Sequence, residues 1–244
     1  MPPSAADSTK FAYRSIIQRG RFRETPRSEL GQLPDKRQAI VIDCEMVEVT
    51  GRRRELAFLS AIDFLTGEVL IDNYVRPVST VTDWGSAVSG VTPDAMELAV
   101  SMNQALNGWQ EARQALWIHA DSETVFIGHS LNHDLDVLGI LHHRVVDSSI
   151  LTGQATFPGC SPKKGLKRLW GLKKLTKAFL GCDIQSSPDG HRSLEDVVAT
   201  REVVLWCLRN PELLRMWADN AREEWRVEMG RRKQRGRRGR QNRV

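Results

Sequence analysis

Apolar and polar residues follow two rhythms along this chain, and the rhythms divide it into strands and helices. Runs that are apolar throughout, or alternate with a period of two, read as strands. They are "AIVIDCEMV" (39–47), "ELAFLSAIDF" (55–64), "EVLIDNYV" (68–75), "TVFIGHS" (124–130) and the short "RVVD" (144–147). Thr66-Gly67 supplies the turn of a hairpin between the second and third. Apolar residues at offsets of three and four, the helical rhythm, cover 102–118, 131–142, roughly 163–180, 193–208 and 211–228. A hairpin followed by strand–helix units predicts an α/β fold, a mixed sheet flanked by helices.

Four acids interrupt these patterns. Asp43 and Glu45 end an apolar run that begins at Ala39, where charge is costly to desolvate. Successive strand side chains alternate between faces, so the two acids point the same way. Asp134 shares a helical stripe with Leu131, Leu138 and Leu141, and Asp196 shares one with Ala199, Val203 and Cys207. Both stripes are expected to face a core. Each acid alone has an ordinary reading. Asp43 and Glu45 fit strand-end surface acids, Asp134 an exposed helix acid, and Asp196 the third residue of a capping box begun by Ser193. Four carboxylates brought together would repel and raise one another's pKa values. Divalent cations relieve that repulsion, and hard oxygen ligands select Mg²⁺ or Mn²⁺.

Composition sets the frame for these acids. A hydrophobic content of 41% in 244 residues suits one domain of about 200 residues with flexible ends. No run of about 20 apolar residues occurs, so no membrane partner is expected. The first residues lack an apolar signal core, and secretion is not expected. Cys44, Cys160, Cys182 and Cys207 show no C-x-x-C spacing and read as reduced thiols of an intracellular protein. The net charge of +5 is unevenly placed: residues 231–244 hold eight Arg or Lys and no acid, residues 1–38 carry +4, and residues 39–230 are left with −7. The expected organisation is a flexible basic arm over 1–38, a folded domain over 39–210, a helix over 211–230 and a disordered Arg-rich tail over 231–244. Such a tail fits contact with nucleic acid or a nuclear or nucleolar address.

In order along the chain stand "DCEMV" (43–47), "GHSLNHDL" (128–135) and "HRSLED" (191–196). This set resembles the three motifs of DEDDh 3′–5′ exonucleases, in the RNA exonuclease branch that includes the Rex proteins and the interferon-stimulated exonuclease. "VSGVTPDAM" (88–96) and "RVVDSS" (144–149) resemble further segments of that branch. The resemblance spans about 39–208 and implies a ribonuclease H-like fold. It implies that Asp43, Glu45, Asp134 and Asp196 bind two ions, Mg²⁺ or Mn²⁺, and that His191 is the general base for the attacking water. A histidine ordinarily titrates near pH ~6.5, which suits that role. Met46 and Val47 resemble positions that contact the terminal nucleotide, although Met46 fits core packing equally well. Relatives of this branch carry arginines between "TD" and "VSG". This chain has Trp84-Gly85-Ser86-Ala87 there, which leaves the choice between RNA and DNA open.

From Ser148 to Cys182 there is no acid, and seven cations occur: Lys163, Lys164, Lys167, Arg168, Lys173, Lys174 and Lys177. A solvated helix face usually mixes signs. This one does not, which predicts a rail for the phosphate backbone, led by Lys163, Lys164, Lys167 and Arg168. His129 and His133 are expected to be structural, and His142 and His143 to lie in a surface loop. The expected activity is 3′–5′ exonucleolytic hydrolysis of single-stranded nucleic acid, RNA before DNA. A noncatalytic nucleic-acid-binding module, a DNA-preferring exonuclease and a ribonuclease H-type endonuclease are the alternatives. The complete set of four acids with His191 favours an enzyme.

Overall fold

The computed structural model describes residues 20–27, 36–159, 165–187 and 190–241, with side chains as far as Arg231. In chain order the elements are β1 (Arg23–Glu24), β2 (Ala39–Val49), β3 (Arg53–Asp63), β4 (Val69–Arg76), β5 (Val81–Asp83), α1 (Ser86–Ser89), α2 (Pro93–Ser101) and β6 (Ala105–Asn107). There follow α3 (Gly108–His119), β7 (Val125–Gly128), α4 (Asn132–Leu138), β8 (Ile140–Leu141), β9 (Val145–Asp147), α5 (Ser148–Thr156), α6 (Leu172–Leu180), α7 (Ser193–Arg209) and α8 (Pro211–Gln241).

β2 is the axis of the main sheet, whose order is β6-β4-β3-β2-β7-β9, with β5 on the far end of β2. The hairpin pairs β2–β3 and β3–β4 are antiparallel, whereas β2–β7, β7–β9 and β4–β6 are parallel. Ile40, Val41 and Ile42 are fully buried, as a strand covered on both faces requires. Strand parity then separates two cores. Ile40, Ile42 and Cys44 pack with Leu116 of α3 and Leu135 and Leu138 of α4. Val41 faces the other way, with Ile62 and Ile127, against Val197 and Val204 of α7. Asp43 and Glu45 share the parity of Val41 and therefore point toward the α7 side. A third core joins α5, α6, α7 and α8 through Phe157, Trp170, Phe179, Trp206, Trp217 and Trp225. Within it, Phe179 stacks on Trp206 with centroids 4.2 Å apart.

The hairpin and the strand–helix alternation follow the sequence pattern, and several boundaries differ from it. Part of the basic arm is built into the fold, because β1 pairs in parallel with β8. The Arg113 guanidinium lies 4.9 Å from the ring centroids of both Trp109 and Trp117 and donates to the carbonyls of Arg21 and Gly139. The helix expected over 102–118 is a strand, β6, followed by α3, because Ala105–Asn107 pairs with the edge of β4 and Gly108 turns the chain at φ +79°. The helix expected over 131–142 stops at Gly139, whose φ of +64° closes its C-terminus. Leu141 thus leaves the predicted stripe and is exposed. The helix expected from 163 begins only at Leu172, after Gly171 in an extended conformation. α8 continues to Gln241, past the expected end at 228 and into the stretch expected to be a disordered tail. Arg, Lys and Gln lose little rotamer freedom in a helix. Among the described residues, no helix is long and apolar enough to cross a membrane.

Candidate active site

The three sequence motifs meet where β2 passes under the start of α7. Ser193 Oγ donates to the Asp43 carbonyl at 3.0 Å and ties the two elements together. α7 opens at Ser193 with Arg192 as its N-cap, and no side chain caps it. Asp196 is therefore not half of a capping box. Its carboxylate instead accepts from Gln185 Nε2, at 3.1 Å on Oδ1 and 2.9 Å on Oδ2. Asp196, Ala199, Val203 and Cys207 are all buried, as their stripe predicts.

Asp134 arrives from the opposite side of the sheet. It is 4% exposed in the first turn of α4, and its Oδ1 accepts the Cys44 N–H at 2.8 Å, between Asp43 and Glu45. The turn leading to it is tightly specified. A Cβ on Gly128 would stand 2.7 Å from Leu131 Cδ1, and Ser130 holds φ +59°. Asp147 accepts from the N–H groups of Ser130 and Leu131 at 3.1 and 2.9 Å and also caps α5.

His191 stands on the loop before α7, with its N–H donated to the Val88 carbonyl at 2.9 Å. Its Nδ1 lies 3.6 Å from Asp196 Oδ2, and about a third of its side chain is open to solvent. One potential ligand atom from each of Glu45, His191 and Asp196 falls within 4.8 Å of the others.

The electrostatics of this cluster are those of crowded anions. Asp43 keeps some surface open, yet its carboxyl group is enclosed. Burial first, then the Asp196 charge, push it up to about 7. Burial, Asp43 and Asp196 push Glu45 up to about 9. Asp134 is raised well above the ordinary carboxylate range by burial and by Asp43. Asp196 is raised by burial, offset in part by the Gln185 hydrogen bond and by His191. Among the described residues, none of the four acids lies within 4.0 Å of a lysine or arginine nitrogen. Buried carboxylates without a lysine or arginine partner are a donor set suited to hard divalent cations, so the residues fit such a centre.

An open cleft of about 1160 Å³ leads away from Glu45 and His191. Its floor includes the register row Glu45, Phe58 and Tyr74, which crosses β2, β3 and β4. Phe58 and Tyr74 meet edge to face with centroids 4.8 Å apart. The walls include Gly90, Val91 and Asn103 on one side and Thr176, Ile184 and Val198 on the other. Asp72, Glu195 and Glu202 make the cleft acidic, with Arg192 the one arginine among the described residues that line it.

The structure does not bring every sequence-predicted residue here. Val47 is buried in a core with Val49 and Ala57, and Met46 packs against the core of α3 and α4. The two lie on opposite faces of β2, each packed into a core, and neither lines the cleft. Lys167 Nζ lies 5.5 Å from the ring centroids of Phe157 and Trp225, and Arg168 pairs with Glu228 at 2.7 Å. Both face the aromatic core rather than the cleft, because α8 presents rings and an acid to them. Lys163 and Lys164 lie outside the described residues. His129 bonds Ser148 Oγ at 2.8 Å, a structural placement. His142 is half-buried rather than on a surface loop, bonded to Thr25 and to the Thr124 carbonyl. Gln185, Phe58 and Tyr74 escaped the sequence reading. Gln185 sits in a loop without periodicity, and the aromatic pair looks like any strand interior.

Residues 40–204 match the model of the family described as Exonuclease, RNase T. Among curated proteins, the chain is 38% identical over 167 residues to RNA exonuclease 4 of Candida glabrata, covering 66% of this chain and 56% of that one. It is 30% identical over 177 residues to small RNA degrading nuclease 2 of Arabidopsis thaliana, covering 72% and 36%. Among solved structures, the Pan2 pseudoubiquitin hydrolase–RNA exonuclease module of Saccharomyces cerevisiae with AAGGAA RNA superposes with a TM-score of 0.65 at 21% identity, covering 85% of this chain and 35% of that one. That likeness establishes the α/β fold. The chain spans about a third to a half of the lengths of these relatives.

Proposed function

Since the chain belongs to the exonuclease family, we propose that it removes nucleotides one at a time from the 3′ end of single-stranded RNA. The observation that carries this reading is the meeting of Glu45, His191 and Asp196 within 4.8 Å at the head of an open cleft. Asp43 stands within electrostatic reach of Glu45, and Asp134 within reach of Asp43. The names of the relatives, RNA exonuclease 4 and small RNA degrading nuclease 2, favour RNA as the substrate.

In this reading Asp43, Glu45, Asp134 and Asp196 hold two divalent cations, Mg²⁺ or Mn²⁺. When bound, the cations supply Lewis-acid stabilisation to the charge that develops on the phosphoryl and leaving oxygens. His191 accepts the proton of the attacking water at Nε2, because Nδ1 is turned to Asp196. Its exposure at the cleft wall keeps it within reach of solvent and of a chain end. The cleft takes the terminal nucleotide, with Phe58 and Tyr74 as an aromatic floor for its base. The acidic walls disfavour phosphates there, so the cleft receives the end of the chain and the phosphate backbone leaves past the cluster.

The test is a time course on 5′-end-labelled RNA and DNA oligonucleotides of one sequence, in Mg²⁺, Mn²⁺ or chelator. The expected result is a ladder that shortens by single nucleotides on RNA and disappears in chelator. Immediate release of a labelled mononucleotide would indicate the opposite polarity. Discrete internal fragments would indicate an endonuclease. Binding without cleavage would leave only a nucleic-acid-binding module.

A further inference from the structure

Gln185 is tied down at more points than its place in a loop between α6 and α7 would suggest. Its backbone holds φ +54°, a left-handed conformation that a residue with a Cβ adopts only when its surroundings impose it. Its N–H donates to Glu195 Oε2 at 2.8 Å, and its carbonyl accepts from Lys173 Nζ at 2.9 Å. Its amide nitrogen then reaches both oxygens of Asp196, at 3.1 and 2.9 Å. A carboxylate only accepts, so the amide must present its NH₂ group here.

The chemistry of this contact is specific. Gln185 is not part of the cleft wall, whereas His191, which approaches Asp196 Oδ2, is. The amide thus holds Asp196 from a residue that does not itself line the cleft. It fixes the plane of the carboxylate and satisfies part of its hydrogen-bonding capacity. It does so without a positive charge. A lysine or arginine at this place would neutralise Asp196 and repel an incoming cation, while an apolar residue would leave the carboxylate free to rotate. Hydrogen-bonded partners behind a ligating side chain commonly set its orientation and strength.

We propose that Gln185 is a positioning residue for the candidate metal centre, holding Asp196 in the orientation from which it takes a divalent cation. This rests on the function proposed above. Lys173 and Glu195 are the struts that keep Gln185 in place, which gives the basic face of α6 a mechanical link to the centre.

The experiment is calorimetric titration with Mn²⁺ of the full chain, of Gln185→Met and of Gln185→Gly. Methionine keeps the length and removes the donors. Glycine also removes them and relieves the left-handed backbone, so it covers the case in which the methionine variant does not fold. Both are expected to bind Mn²⁺ about 10- to 100-fold more weakly. Their melting temperatures in chelator should stay within a few degrees of wild type, and the turnover deficit should shrink as Mn²⁺ is raised. Unchanged Mn²⁺ affinity in a folded variant would reduce the contact to loop packing and overturn the proposal. Tighter binding would overturn it too, because the amide would then occupy the place of the cation. If wild type itself bound no Mn²⁺, the metal centre and the proposed function would both fall. Normal binding by wild type with normal binding by the variants sinks the positioning role alone.

Discussion

Asp43 and Glu45 occupy positions where the strand pattern calls for apolar side chains, and their raised pKa values record the cost. An acid whose folded pKa lies above its unfolded one stabilises the fold only while protonated. That contribution is complete below about pH 4, the unfolded value. It is lost as the pH rises through about 7 for Asp43 and about 9 for Glu45. Metal-free protein is therefore expected to melt at progressively lower temperature between pH 4 and 9, measured by thermal denaturation in chelator. Mg²⁺ should flatten the upper part of that curve by supplying the missing positive charge. A melting temperature independent of pH in chelator would mean that the acids are not crowded. Asp196→Asn tests the same cluster from the other side. It should lose activity by orders of magnitude, while the chelated protein gains or keeps stability because one buried charge is gone. His191 belongs to the same group of ligand atoms but is assigned another task. His191→Ala should lower turnover by about 10²–10⁴, the usual range for a lost general base, and leave Mn²⁺ affinity near wild type. Loss of metal binding in that variant would reassign His191 as a ligand.

At the scale of elements, the site depends on one loop leaning on another. Gly190 holds φ +95°, and a Cβ there would stand 2.5 Å from the Ser86 carbonyl and 2.6 Å from the Gly90 nitrogen. Gly190→Ala should push the His191 loop off the α1 turn, because backbone atoms on the other side cannot yield cheaply. A displacement near 1 Å can cost about 10²-fold in rate. The expected outcome is therefore a fall in turnover of about 10- to 100-fold with Mn²⁺ affinity preserved, since the four carboxylates stand on β2, α4 and α7. Wild-type turnover would mean that the two loops move freely of each other. The same elements explain what could be read from the sequence. β2 and α7 were legible from their periodicities, and the acids that interrupt them gained weight from standing in an ordered set of three motifs. β6 was not, because three residues pair with an exposed strand edge, and such pairing overrides local propensity without marking the sequence. The late start of α6 has the same origin: Trp170 is drawn into the aromatic core and Gly171 stays extended. Gln185 could not have been found from sequence alone, since its role comes from a loop conformation and from partners in α6 and α7.

Across the whole molecule, the folded body carries the negative charge and the C-terminal segment the positive charge. α8 is the element that separates them. Trp217, Ala218, Ala221 and Trp225 form its inner stripe, Arg222 Nε donates to the Thr156 carbonyl, and Glu228 receives Arg168. The described side-chain contacts that anchor α8 therefore precede Gly230. A helix of 31 residues is about 46 Å long, and the eight cations of residues 231–244 follow those anchors in the chain. An acidic cleft receiving an anionic polymer needs attraction from elsewhere, and this segment is the largest block of one sign in the chain. The expectation is that residues 231–244 add nonspecific affinity for nucleic acid and no chemistry. Each phosphate contact on a single strand contributes about 0.7 to the log–log salt slope. If three or four of the cations engage, truncation after Gly230 should flatten that slope by roughly 2–3. Binding of single-stranded RNA measured from about 50 to 300 mM salt covers the range in which screening changes most. Turnover at saturating RNA should stay near wild type, because the four acids and His191 all precede Val197. Equal slopes for the full and truncated chains would show that the segment does not touch RNA. A collapse of saturating turnover would place it in the catalytic step, where nothing in the geometry of Asp43, Glu45, Asp134, Asp196 and His191 calls for it.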